Sequence, residues 1–175
     1  MRYGLILGLI VLAVVGRLIP HPDNFTPVMA VALLGGATLS IRVAYALPLA
    51  ALVASDVLLG YGFEWMSVVV YGCFLASVGL GHWLGKLRTW PRTGIAAVSG
   101  SLFFFIVTNF AVWLGPHGLY AHTVEGFTQC YAMALPFFRN ALAGDLFWTA
   151  LLFLLYDLGY ARLKLARDDP ARFAH

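Results

Sequence analysis

Charge is what this 175-residue sequence has least of. Only 11% of its residues are Asp, Glu, Lys or Arg, against about 25% in an ordinary soluble domain. With 61% hydrophobic residues and a mean hydropathy of +0.84, that scarcity points to an integral membrane protein. Cysteine is nearly absent too. Cys73 and Cys130 have no metal-ligand spacing, and two cysteines make no disulfide framework. There is no basic patch with interleaved aromatics, so nucleic acid is not expected as a partner. The first apolar run lacks a small-residue cleavage site and ends in Arg17-Leu-Ile-Pro-His-Pro22, which reads as an uncleaved first span. Catalytic signatures are missing as well: no His-Glu-x-x-His, no Gly-x-Ser-x-Gly, no P-loop and no dinucleotide fingerprint.

What is present is a series of apolar runs, with room for about six spans of roughly 20 residues. The expected architecture is an all-α integral membrane protein with six transmembrane helices in one domain. The spans are placed at residues 3–19, 25–39, 43–59, 66–84, 94–114 and 136–156. An outer loop is expected over 115–135 and a cytoplasmic tail over 160–175. The basic residues set the orientation. With the N-terminus inside, the inner segments hold Arg2, Arg42, Lys86, Arg88, Arg92, Arg162, Lys164, Arg167 and Arg172, nine of the eleven Lys and Arg residues. Both termini are therefore expected in the cytoplasm, with the protein multi-pass in a bacterial inner membrane.

That orientation gathers the unusual polar groups on the outer half: His21 to Asn24, Asp56, Glu64, Asn109, and Tyr120 to Arg139. The stretch Leu114–Asp145 is neither a clean span nor a charged tail, and it is read as one wall of a ligand site. An ionisable group inside a span costs roughly 2.5–3.5 kcal/mol on insertion scales and normally faces the bundle interior with a partner. Arg139 and Asp56 are expected at similar depth, as an ion pair or a ligand contact. Asn24, Asn109 and Asn140 offer amide groups to a polar ligand, or bridge helices. Tyr71, Tyr120, Tyr131 and Phe137 are candidate walls for a flat apolar ligand, or members of an aromatic belt with Trp65 and Trp113. Asp145 lies six residues past Arg139, about 600° around a helix, so the two face different ways. It is expected to be paired in the interior. His21, His117 and His122 are outward imidazoles. Gly4-xxx-Gly8 and Ala46-xxx-Ala50-xxx-Ala54 are spaced for close helix approach, within the bundle or against a partner.

Six short spans, both termini inside and a site under outer loops resemble the substrate-binding S components of energy-coupling-factor vitamin transporters. The segments Arg17–Pro27, Ser55-Asp56, Thr108–Trp113 and Cys130–Asn140 look like a family of small bacterial membrane proteins related to them. Among S components, the solitary cobalamin-uptake type is the most similar. The resemblance implies vitamin uptake with no intrinsic cofactor. It implies cobalamin as the ligand, Cys73 or Cys130 as the thiolate on its cobalt, and Tyr71, Asp56 and Arg139 around the corrin. It also implies an ATP-driven coupling module as partner, although the first span offers Gly4-xxx-Gly8 where S components carry Ala-xxx-Ala. Uptake of another vitamin or cofactor precursor, a membrane enzyme, and an assembly subunit are the alternatives.

Overall fold

The computed structural model describes residues 2–85, 87–116 and 118–168. Lys86, His117 and Arg172 lie outside them. The chain forms six helices in order: α1 (Arg2–Leu18), α2 (Val28–Thr38), α3 (Ile41–Leu59), α4 (Trp65–Gly85), α5 (Trp90–Leu114) and α6 (Val124–Asp168). Four of them, α3 to α6, contain segments long and apolar enough to cross a membrane. α1 has 17 residues and α2 has 11, so α2 spans only about 16 Å at 1.5 Å per residue. Exposed side chains along the outside of the bundle are themselves apolar, among them Leu7, Val57, Ile95, Ile106 and Leu155. Such a surface matches a hydrocarbon solvent rather than water.

α2 is the axis of the bundle. Every residue from Val28 to Gly36 is buried, and α2 meets each of the other five helices. Its small residues permit this. A Cβ on Gly36 would lie 2.2 Å from the Val78 carbonyl oxygen, and one on Gly81 the same distance from the Leu33 oxygen. Backbone therefore meets backbone between α2 and α4, an approach that only glycine allows at these positions. The two sequence patterns suggested for helix docking behave differently. Gly4 and Gly8 have no neighbour within 4 Å, and Ala46, Ala50 and Ala54 are exposed.

The main departure from the sequence reading is the expected outer loop. Helix α6 begins at Val124, not at Pro136. Thr123 caps it: its Oγ1 accepts from the Gly126 amide at 3.1 Å. Glu125 follows in the first turn, where a carboxylate complements the helix dipole. Pro136 sits inside the helix and removes one backbone bond without ending it. The helix also continues past Tyr160 to Asp168, into the expected tail.

Candidate functional site

Two polar constellations lie towards the end of the bundle where α1, α3 and α5 finish. The first joins α1, α3 and α4. Arg17 Nη2 lies 2.6 Å from Asp56 Oδ1, with the two side chains 17% and 15% exposed. Arg17 Nη1 donates to Ser55 Oγ at 2.5 Å. The Tyr71 hydroxyl donates to Asp56 Oδ2 at 2.6 Å, and its ring meets Phe63 edge-on. Gly60, at φ +74°, ends α3 in a left-handed turn, and the Tyr61 amide donates back to the Asp56 carbonyl at 2.8 Å. That closed turn fixes Asp56 where Arg17 reaches it.

The expected Arg139–Asp56 pair is therefore replaced by Arg17–Asp56. The reason is adjacency. α1 packs along α3, whereas among the described residues α6 does not touch α3. Arg139 is exposed, and it has no ion-pair partner among the described residues.

The second constellation lines a half-open cavity of about 160 Å³ between α5, α6 and the α1–α2 loop. Asn24, Ser101, Thr108, Asn109 and Asp145 supply its polar groups, and Phe104, Phe105, Phe137 and Phe138 its rings. Asp145 is 6% exposed and one oxygen, Oδ2, lies 2.5 Å from Ser101 Oγ. Ser101 also lies 3.1 Å from its own helix carbonyl at Ala97. Asn109 Nδ2 donates to the Phe105 carbonyl. Asn24 holds a left-handed backbone, φ 63°, which asparagine tolerates better than most residues. The loop comes down onto α6 because Gly144 has no side chain: a Cβ there would lie 3.0 Å from Phe25. Phe25 in turn rests on Phe147. Within α6, Trp148 Nε1 and Thr149 Oγ1, one turn beyond Asp145, are buried with no hydrogen-bond partner among the described residues.

Of the sequence candidates, Asn24, Asn109 and Phe137 meet at this cavity, while Asp56 and Tyr71 meet in the ion network. Tyr131 donates to the Ile106 carbonyl at 2.7 Å and stacks near Phe105 and Phe127. Its hydroxyl thus pins α6 to α5. Tyr120 and Asn140 are partly buried and line neither cavity. Cys73 and Cys130 are both 2% exposed. The Cys130 thiol donates to the Asn109 carbonyl at 3.4 Å. A larger groove of about 350 Å³ opens between α4 and α5, lined by Trp65, Val69, Val107, Phe110 and Leu114. It is apolar and flanks the bundle. Among the described residues no three His, Cys, Asp or Glu side chains gather as metal ligands.

Sequence reasoning passed over Arg17, Ser101, Thr108 and Gly144 as site residues. Ser101, Phe104 and Thr108 share one face of a helix at i, i+3 and i+7 in an apolar run, and Gly144 precedes the one acidic residue in the middle of α6. Those were the available signals.

An all-helical bundle whose longer helices suit a bilayer, with polar groups turned inward, is the architecture of a membrane protein. This chain belongs to the family of unknown function DUF6580, whose family model matches residues 1–166. No curated protein and no solved structure matches it.

Proposed function

We propose that this protein binds a small vitamin or cofactor precursor in the outer half of a bacterial inner membrane and takes part in its uptake. In this reading all six helices lie across the bilayer, α2 wholly within the bundle, with both termini in the cytoplasm. The plan is that of an energy-coupling-factor S component, with an ATP-driven module as the expected partner.

The observation that carries the proposal is the cavity under the α1–α2 loop. Five polar residues and four phenylalanine rings converge there in an otherwise apolar bundle. A mostly apolar pocket with a few placed polar groups is the usual form of a small-molecule site. Asp145 would burden the fold by about 3 kcal/mol at mid-bilayer without a function or a partner. Asn24 brings the α1–α2 loop into the wall of the cavity, so movement of that loop would widen the entry.

Cobalamin is the ligand the S-component resemblance singles out. The volume suits one group of such a ligand, since whole drug-sized molecules occupy roughly 300–1,000 Å³. Both thiols are buried and neither lines the cavity. Cobalt ligation by Cys130 would thus require the first turns of α6 to move away from α5, where its thiol meets the Asn109 carbonyl. The test is a thermal-shift screen of the purified protein against water-soluble vitamins, with cobalamin included. It is run beside an absorption spectrum of protein from cobalamin-fed cells. A saturable shift by one compound, lost in Asn109→Leu, is the expected result. A screen with no shift, and a colourless protein, would overturn the proposal.

A further inference from the structure

The chemistry of the cavity narrows the ligand class, and this inference rests on the cavity being the binding site. Asp145 is a nearly buried carboxylate, 6% exposed. Its Oδ2 has one neighbour able to donate, Ser101 Oγ at 2.5 Å. No side-chain hydrogen bond to its Oδ1 is seen among the described residues, and that oxygen is not among the sealed orphan atoms, so it is open to the cavity that Asp145 lines. Ser101 has a single hydroxyl proton, and its second acceptor is the Ala97 carbonyl at 3.1 Å. An ionised Asp145 therefore takes that proton and still has one oxygen uncompensated. A buried carboxylate in that position calls for a positive charge or a proton.

Among the described residues no Lys, Arg or His lines the cavity. Arg139, the basic residue of α6 closest in sequence to the lining positions, is exposed. In the empty site a proton on Asp145 meets that need; once Asp145 is ionised, the compensating charge comes from the ligand. The remaining walls indicate what kind of cation. Hard metal ions take six or more oxygen ligands, carboxylates foremost, and here one carboxylate stands beside four neutral polar residues and four phenylalanines. Phe104, Phe105, Phe137 and Phe138 present four rings around the space. Aromatic faces beside one carboxylate are the recognition chemistry of ammonium and heteroaromatic cations. The volume, about 160 Å³, lies below the roughly 300–1,000 Å³ of sites that hold a whole drug-sized ligand, which suits a head group of that kind.

We infer that the cavity takes the cationic head group of a small organic ligand, a quaternary ammonium or a thiazolium-type ring, with Asp145 as its counter-ion and the phenylalanines as its cage. Asn24 and Asn109 then meet the polar substituents of the same ligand.

The test is calorimetric titration of the full chain in nanodiscs with choline, with its neutral isostere 3,3-dimethylbutan-1-ol, and with thiamine. Choline or thiamine is expected to bind at least tenfold more tightly than the neutral isostere. Asp145→Asn, which keeps a partner for Ser101, is expected to abolish that preference. Ser101→Ala, which keeps the carboxylate, is expected to retain it. The wild-type comparison alone decides the matter if the Asp145 variant fails to fold. Equal binding of the cation and its isostere would overturn the inference, as would a preference that survives Asp145→Asn. So would binding confined to an uncharged or anionic vitamin, or to cobalamin, and that result would leave the uptake reading standing. Failure of every compound, charged or not, would overturn both.

Discussion

Removing the Arg17 guanidinium strands Asp56. The substitution to test is Arg17→Met, which keeps the length of the aliphatic stem and deletes three contacts at once: the 2.6 Å ion pair, the 2.5 Å bond to Ser55 and the 3.4 Å bond to the Leu52 carbonyl. Breaking a buried pair by removing one partner costs about 3–5 kcal/mol, while an exposed pair is worth about 0–1 kcal/mol. With exposures of 17% and 15% the pair lies near the buried limit, and Tyr71 still supplies one hydrogen bond to the abandoned carboxylate. We take about 3 kcal/mol. For a chain of this size each kcal/mol shifts Tm by about 2–4 °C, so the variant should melt about 6–12 °C lower in detergent. The double variant Arg17→Met/Asp56→Leu should recover most of the loss, because no charge is then left buried. Arg139→Met should change Tm by less than about 2 °C, within the range of exposed charge substitutions. A small effect of Arg17→Met beside a large effect of Arg139→Met would refute the pairing. Purely additive losses in the double variant would refute the coupling.

Three further outcomes follow from the same geometry. Gly36→Ala places a Cβ 2.2 Å from a backbone oxygen of α4 and should cost at least about 1–3 kcal/mol or abolish folded yield, while Gly94→Ala, with nothing within 4 Å, should be neutral or slightly stabilising by the same melting assay. Thr149→Val replaces a buried hydroxyl that has no partner among the described residues by an apolar group of the same shape, and Tm should hold or rise; a loss above about 1 kcal/mol would mean the hydroxyl is in fact bonded. Cys73 and Cys130, both 2% exposed, should resist maleimide in the folded protein and label readily in SDS; prompt native labelling of Cys130 would show that the first turns of α6 open.

The apolar runs were legible because six of them stand out against a scarcity of charge, and each of the six helices overlaps one expected span. The start of α6 was hidden. Glu125, Gly126, Thr128 and Gln129 dilute the hydropathy of 124–135, although Thr123 and Glu125 carry an ordinary helix-start signal. Which cation meets Asp56 was not legible, since Arg17 and Arg139 both lie towards the outer side. Only the packing of α1 beside α3, and of α6 away from it, decides between them. The cavity was half visible. Asn24, Asn109 and Phe137 were marked by polarity or position, but Ser101 meets Asp145 across 44 residues, and no local pattern announces such a contact. At the other end of the bundle, the pairing of Arg88 with Asp157, beneath which Phe153 lies 5.4 Å from the guanidinium, is likewise a tertiary choice.

The central claim is that the cavity beside Asp145 is where a small ligand binds. Its most direct test fills that space. Ala141 lines the cavity, and Ala141→Leu occupies part of it without adding charge. Ligand-dependent thermal shifts of wild type and Ala141→Leu are compared across the same vitamin and cation series. A ligand at one hundred times its Kd stabilises by about 2.7 kcal/mol, a shift of several degrees. The account predicts such a shift for at least one compound in the wild type and its loss in a folded Ala141→Leu. An undiminished shift in Ala141→Leu would place the binding site elsewhere and contradict the account.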